Sequence, residues 1–449
     1  MKEVRGALSR HPIPLRGIRS TPSLTPNIGR HHCFNRMEPG ASVRILLGFP
    51  DRFHRVDDRP HAGLPSEEHA EVVGEVMTMT REENPICIIG GSIAGLFAAW
   101  RLAAAGRRVV VYERDGAMAG PRTLIVTPWL RRLWPDFPSE GIRHRITGFD
   151  LWAGGVRRIL PLREPDWVIE RAEVRAYLLQ LARSAGAEIR TGWSFVGREG
   201  SRLIFRRLDG TEIREESRVI LAADGARSRV LAAFGLPRPP VLLLLQARVR
   251  LPVWADPGRA VVWFVPEDTP YFYWLIPDSP QSGMLGLATE PGRPIRTLLD
   301  RFLERLGLEP LAYQGGVVAT YRPDLPWRAA RDGHVIFPIG DAGGQVKVTT
   351  VGGTVTGIWG GVAVAHALLG QGWGMARRLQ AELGAHYLVR RILSRFTRED
   401  YERLLWGLGQ RATRTLGEVP RDALAAGVWR LLWAQPTLLW HALRALLKS

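Results

Sequence analysis

Beyond residue 85 the apolar positions follow two rhythms, and the switches between them predict the architecture. Ile86-Cys87-Ile88-Ile89 is a short unbroken apolar run of strand type, followed by Gly90-Gly91-Ser92-Ile93-Ala94-Gly95, an apolar helix to Ala105-Gly106, and a second strand, Val109-Val110-Val111-Tyr112, closing on Glu113. A strand, turn, helix and strand within roughly 30 residues fit a parallel crossover. The segment Asp115–Pro138 is broken by Gly116, Gly120, Pro121, Pro128 and Pro135. Helical spacing returns over Glu170–Gly186 and leads into a strand at Glu188–Thr191. Alternation from Trp193 to Ile213 around Asp209-Gly210 predicts a hairpin, and Arg218–Ala223 reads as a buried strand running into Asp224-Gly225.

From about Pro240 to Pro326 the period becomes two. Leu243–Val249, Ala260–Val265, Phe272–Ile276 and Met284–Thr289 predict a mixed or antiparallel sheet, with a helix at Ile295–Leu306. Such a sheet, apolar on one face, suits a wall over a ligand cavity. Its aromatic residues, Trp263, Phe264, Tyr271, Phe272, Tyr273 and Trp274, are dense enough to serve either as core or as cavity wall. His334–Ile339 is a further strand that meets Gly340-Asp341, and a glycine-rich helix begins near Gly352. Helices broken at Gly370–Gly374, Gly417–Pro420 and Gln435-Pro436 fill the rest. The expected fold is α/β: a discontinuous Rossmann-type nucleotide-binding domain with a parallel sheet (81–240 and 327–369), a mixed or antiparallel-sheet substrate domain (241–326) and a helical C-terminal region (370–449).

Composition narrows this picture. The first 80 residues scatter proline, histidine and arginine without period and are expected to be disordered, with Glu67, Glu68, Glu71 and Glu75 arguing against a transit peptide. Across the 449 residues there are two cysteines, Cys33 and Cys87, which offer no disulfide framework or zinc site. No apolar run approaches the ~20 residues of a membrane span. A cytoplasmic location fits best, with no nucleic-acid module in sight. The net charge of +17 comes almost wholly from arginine, since Lys2, Lys347 and Lys448 are the only lysines. From Gly370 onward 13 basic residues face 6 acidic ones, interleaved with tryptophan and leucine. That surface suits either peripheral contact with an anionic membrane or an ordinary solvated helix face.

Three sites carry candidate chemistry: the turn Gly90–Gly95, Asp224-Gly225 and Gly340-Asp341, each after an apolar strand. Glycines at the first let the backbone pass close to a pyrophosphate, and the helix start presents free N–H groups to it. Ser92 replaces the middle glycine of G-x-G-x-x-G, and its hydroxyl is itself a phosphate donor. Glu113 lies about 20 residues on, where a carboxylate accepts from ribose hydroxyls. A turn role for Asp224 and a capping role for Asp341 are the plain alternatives.

In this order the three motifs resemble flavoproteins of the para-hydroxybenzoate hydroxylase type, over roughly Pro85 to Leu369. The resemblance implies FAD held by Gly90, Gly91, Ser92, Ala94, Gly95, Glu113, Arg114, Arg171, Asp224, Gly225, Gly340, Asp341, Gly352 and Gly353. Within that superfamily, Gly340–Gly353 is similar to the extended third motif of the geranylgeranyl reductase group, G-D-A-A-G-x-x-x-P-x-T-G-G-G, with Val348 in place of proline and Val351 in place of glycine. Phe272-Tyr273-Trp274-Leu275-Ile276-Pro277 likewise resembles its Y-x-W-x-F-P signature. The cysteine that archaeal members often carry after the nucleotide unit is missing from Asp115–Arg132. The implied activity is reduction of carbon–carbon double bonds in an isoprenoid or lipid, with NAD(P)H or reduced ferredoxin as electron donor. Trp274 would line the tunnel, Tyr273 or Tyr271 would give the proton, and Gly352-Gly353 would face the flavin edge. Two competitors stay open: a monooxygenase using NAD(P)H and oxygen, and a flavin-bound lipid-binding protein without turnover.

Overall fold

Strands covered on both faces must be apolar throughout, and β1 (Ile86–Ile89) and β2 (Val109–Glu113) are buried at every position. The computed structural model describes residues 84–115, 122–438, Trp440 and Arg444, all within one unit. The expectation of a disordered extension therefore falls outside the described residues, as do Gly116, Gly120 and Pro121. Between the first two strands lies α1 (Ile93–Ala104), followed by β3 (Thr123–Val126), β4 (Ile142–Ala153), β5 (Val156–Glu170), α2 (Arg171–Ser184) and β6 (Glu188–Thr191). Next come β7 (Ser194–Glu199), β8 (Arg202–Arg206), β9 (Glu212–Glu216), β10 (Val219–Ala222) and α3 (Arg229–Ala233). β11 (Val241–Arg250), β12 (Arg259–Phe264), β13 (Tyr273–Pro277), β14 (Ser282–Thr289), α4 (Ile295–Leu306), β15 (Ala312–Ala319), β16 (Ala329–Arg331) and β17 (His334–Pro338) complete the sheets. Among the described residues five helices follow: α5 (Thr354–Leu368), α6 (Gly374–Leu393), α7 (Arg398–Gly407), α8 (Gln410–Glu418) and α9 (Leu424–Ala434).

The first sheet has the order β16-β17-β10-β1-β2-β6. All neighbours from β17 to β6 are parallel, and only β16 runs antiparallel. Parallel neighbours place their C-terminal ends on one edge, so the ends of β1, β10 and β17 stand side by side. The second sheet, β15-β11-β14-β13-β12-β4-β5-β3, is antiparallel except where β12 meets β4. The predicted hairpin is a three-stranded meander of β7, β8 and β9.

Two expectations change here. Residues 123–170 were grouped with the nucleotide domain, yet β3, β4 and β5 extend the second sheet. β5 was hidden by Pro161 and Pro165, which demote a run from strand status. β3 pairs with β5 only over Trp167–Glu170, so both prolines sit where β5 is an edge strand and a missing N–H costs no ladder bond on that side. β15 was also missed, its pattern interrupted by Gly315-Gly316.

α5 crosses α1 at very short range. A Cβ on Gly361 would stand 2.8 Å from the carbonyl oxygen of Ala94, and one on Gly357 would stand 3.4 Å from the Cα of Gly340. Backbone atoms cannot move aside as a side chain can, so any larger residue forces the helices apart. Gly361→Val is expected to cost about 2 kcal/mol, the usual penalty of overpacking, read as a lowered urea midpoint by far-ultraviolet circular dichroism. An unchanged midpoint would mean that the crossing is slack.

Candidate active site

The glycine turn is built to bring backbone close to backbone. Gly90 has φ +108°, and a Cβ on it would sit 2.6 Å from the carbonyl carbon of Ala223. Only glycine adopts that angle in that space. Ser92 is the extended N-cap of α1, and its Oγ accepts from the N–H of Gly95 at 3.1 Å. Its own hydroxyl proton stays available to a ligand. Gly91 donates to Glu113 Oε2 at 2.5 Å, and Glu113 Oε1 accepts from the N–H of Asp115 at 2.8 Å. Arg175, 3% exposed, donates through Nε to the carbonyl of Gly91 at 2.9 Å and pairs with Glu113 at 3.3 Å. Glu113 thus holds the turn together from beneath. Sequence reasoning missed Arg175; its position one helical turn beyond Arg171, on the buried side of α2, was the available signal. Arg114 is exposed and pairs with Asp115 at 3.5 Å, away from the cavity described below.

At the second tip, Asp224 Oδ2 accepts from the N–H groups of Arg229 at 2.7 Å and Val230 at 3.1 Å, which caps α3. Its Oδ1 is buried without a hydrogen-bond partner among the described residues, and burial raises its carboxyl pKa. Gly225, φ +87°, opens onto the cavity. At the third tip Gly340, φ +61°, donates to Gln345 Oε1 at 2.7 Å. Asp341 Oδ2 accepts from the N–H of Ala319 at 3.2 Å. Burial raises the Asp341 pKa, opposed by that N–H and by the charges of Arg171 and Arg122. Arg122 was not anticipated from sequence.

One cavity of about 540 Å³ collects these groups. Ser92, Ala94, Arg171, Gly225, Gly340, Asp341, Gly352 and Gly353 line it, and Gly90, Gly91 and Gly95 form the turn behind. The opposite wall is the second sheet. Strand alternation sends Leu244 and Gln246 of β11, Ala260, Val262 and Phe264 of β12, and Trp274 and Ile276 of β13 into the cavity. Phe149 and Leu151 of β4 and Leu160 and Leu162 of β5 extend the apolar wall to Leu416 of α8. The same alternation corrects the placement of Tyr273. It is fully buried on the far face, stacked on Phe302 with ring centroids 4.0 Å apart and bonded to Asp268 at 3.0 Å. Tyr271 also lies off the cavity, under the guanidinium of Arg390 at 4.7 Å. Burial raises the pKa of both tyrosines, which makes them poorer acids. Gly286, paired across from both Trp274 and Gln246, leaves room for the indole: a Cβ there would stand 2.6 Å from Trp274 Cζ2.

The turn before α5 completes the site. Lys347 pairs with Gly352 in an isolated bridge, and Val351 takes φ +55°. A β-branched residue in the left-handed region is strained. Gly353 is the N-cap of α5, so the free N–H groups and positive end of that helix point at the cavity. Buried polar groups join this turn to the C-terminal helices. Lys347 Nζ is ion-paired with Asp422, Asp422 also accepts from Thr127 Oγ1 at 2.7 Å, and Arg421 is ion-paired with Asp166.

A dinucleotide fits what is here. The glycine cradle would be filled by any Cβ, the unsatisfied Asp224 oxygen lies at a strand tip, and two helix N-termini with Arg122 and Arg171 face the cavity, where they suit phosphate groups. Residues 88–122 match the NAD(P)-binding Rossmann-like domain family. The chain is 28% identical over 296 residues to geranylgeranyl diphosphate reductase of Rhodobacter capsulatus, covering 63% of this chain and 74% of that protein. It is 28% identical over 289 residues to digeranylgeranylglycerophospholipid reductase 2 of Methanothermobacter thermautotrophicus, covering 60% and 73%. It is also 26% identical over 412 residues to aklavinone 12-hydroxylase of Streptomyces peucetius, covering 78% and 80%. In fold it is similar to a geranylgeranyl bacteriochlorophyll reductase-like protein from Thermoplasma acidophilum, with a TM-score of 0.66, 16% identity, and coverage of 81% of this chain and 99% of that one.

Strain at Val351 yields a stability prediction. Val351→Gly is expected to raise stability by about 1 kcal/mol, because relief of the left-handed strain outweighs the backbone entropy that glycine adds to the unfolded chain. A thermal melt checks it, and a lower melting temperature would contradict it.

Proposed function

We propose that this chain is an FAD-dependent oxidoreductase of the geranylgeranyl reductase group and that it reduces carbon–carbon double bonds of an isoprenoid or lipid substrate. The observation that carries this reading is the shape of the cavity: glycine tips and helix N-termini on one side, a largely apolar wall interrupted by Gln246 and Gln314 on the other. Bound FAD supplies the hydride, with NAD(P)H or reduced ferredoxin as the proposed electron donor. Ser92, Ala94, Gly225, Gly340 and Asp341 would hold the cofactor from the sheet edge, and Arg122 and Arg171 would balance its charge. The N-terminus of α5 at Gly353 would stabilise negative charge on the reduced ring. Trp274, Ile276, Val262, Leu151 and Leu160 would align a long apolar chain and keep water from the reacting carbons.

The hydroxylase relative supports a second reading, oxygen-dependent hydroxylation of a polycyclic or aromatic substrate. One anaerobic experiment separates the two. Chemically reduced enzyme mixed with geranylgeranyl diphosphate is expected to reoxidise its flavin and yield a product heavier by two hydrogens. No reoxidation without oxygen, together with substrate-stimulated oxygen uptake in air, would favour the hydroxylase.

Peripheral membrane contact belongs to this proposal. No helix among the described residues is long and apolar enough to cross a membrane. Trp406, Trp429 and Trp433 are exposed at 79%, 68% and 84%, and Gln435 ties their helices together through Gly407 and Gly409. Exposed arginines, Arg411 and Arg414 among them, accompany these indoles, a mixture that suits an anionic headgroup layer. The cavity reaches the neighbouring Leu416, so a lipid would have a short path inward. Trp429→Ser/Trp433→Ser is expected to lose flotation with vesicles containing anionic lipid while keeping its melting temperature. Equal flotation would remove the membrane reading.

A further inference from the structure

Reduction of an isolated alkene needs a proton besides the hydride, and Tyr271 and Tyr273 lie off the cavity. We infer that Thr349, backed by His386 and Glu382, is the route by which that proton enters; the inference rests on the reductase reading. Thr349 lines the cavity, and its hydroxyl is hydrogen-bonded to His386 Nδ1. His386, on α6 and 2% exposed, turns its other nitrogen toward two acceptors. Nε2 lies 3.2 Å from Glu382 Oε1 and 3.1 Å from the carbonyl oxygen of Arg421. Two acceptors at Nε2 fix the proton there, which leaves Nδ1 to hold or release a second one toward Thr349.

Glu382 is itself anchored by backbone donors. Its Oε1 accepts from the N–H of Leu424 at 2.5 Å and its Oε2 from that of Ala425 at 2.8 Å, at the N-terminus of α9. The ring thus has a fixed carboxylate and a backbone carbonyl at Nε2 and the Thr349 hydroxyl at Nδ1. The remaining charges around the ring are engaged elsewhere. Lys347 is matched by Asp422, Arg421 by Asp166, and Arg390, on the same helix, donates to the carbonyl of Pro270.

The transfer balances without a further reactant. As hydride forms a bond to one alkene carbon, the π pair at the other takes the Thr349 hydroxyl proton. The hydroxyl oxygen recovers a proton from Nδ1, and His386 is left neutral with Nε2 still protonated. Solvent reprotonates the ring before the next turnover. Of the other polar donors lining the cavity near Thr349, Lys347 and Thr127 are held by Asp422, Arg421 is ion-paired with Asp166, and the Thr350 hydroxyl has no hydrogen-bond partner among the described residues through which a proton could be resupplied.

In this scheme His386 is a positioning residue that acts through Thr349, and the test must detect more than a loss of activity. Reduced holoenzyme is mixed anaerobically with geranylgeranyl diphosphate and flavin reoxidation is followed by absorbance. Thr349→Val is expected to slow reoxidation about a hundredfold, within the range of general-acid catalysis, while Thr349→Ser retains most of the rate. His386→Gln should slow reoxidation in the same way while leaving the affinity for the substrate unchanged. A long-range ¹H–¹⁵N spectrum should place the neutral-form proton of His386 on Nε2. If wild type turns over and Thr349→Val keeps pace with it, or if the proton sits on Nδ1, the relay is overturned and the reductase reading stands. If wild type is inert toward every such alkene, the reductase reading falls and takes the relay with it.

Discussion

Close backbone approach at the edge of the parallel sheet is the constraint on which the rest of this molecule depends. The tips of β1 and β10 are in contact at Gly90 and Ala223, and that of β17 is held by Gln345 and packed beneath α1. α5 then lies so near α1 that Gly357 and Gly361 touch Gly340 and Ala94. Gly90 and Gly361 leave no room for a methyl group against the facing backbone. What the compression achieves is alignment: helix N-termini and strand ends point into one space from adjacent positions, where their N–H groups meet a negatively charged ligand without side chains between them. The buried Arg175–Glu113 pair serves the same end, because it braces the Gly91 peptide from both sides.

The second sheet contributes the opposite chemistry by the simplest possible device. A strand offers alternate residues to its two faces, so β13 gives Trp274 and Ile276 to the cavity and Tyr273 and Leu275 to the core beneath α4. The aromatic cluster Phe272–Trp274 therefore divides between cavity wall and core. Gly286 sharpens the division, since a bulkier neighbour would push the indole of Trp274 out of the wall.

Much of this was legible in the chain itself. The crossover unit, α4, β6 and the helix breaks in the C-terminal region all stand where periodicity and glycine or proline place them, because each is specified by local pattern. Membership of β3, β4 and β5 in the second sheet was not legible, since which sheet a strand joins is decided by partners distant in sequence. The site divides in the same way. Turn glycines declare themselves by spacing, whereas Arg122, Arg175, Gln345 and Gly286 matter through contacts with residues far along the chain. Tyr273 illustrates the reverse error: its motif neighbours suggested a cavity role, but a one-residue step along a strand reverses the face.

The cluster that joins the cavity to the C-terminal helices is hard to explain as a source of stability. Burying Lys347 with Asp422 and Arg421 with Asp166 costs desolvation that the paired attraction barely offsets, and apolar residues of equal volume would serve a core at least as well. Val351, strained on the same turn, adds a further cost. What these groups do provide is geometry. They fix Arg421 and Asp422 against the Lys347–Gly352 turn, and thereby hold the Arg421 carbonyl and the start of α9 against Glu382 and His386. Buried polar order on this wall is the arrangement expected when position, rather than stability, is what the fold maintains.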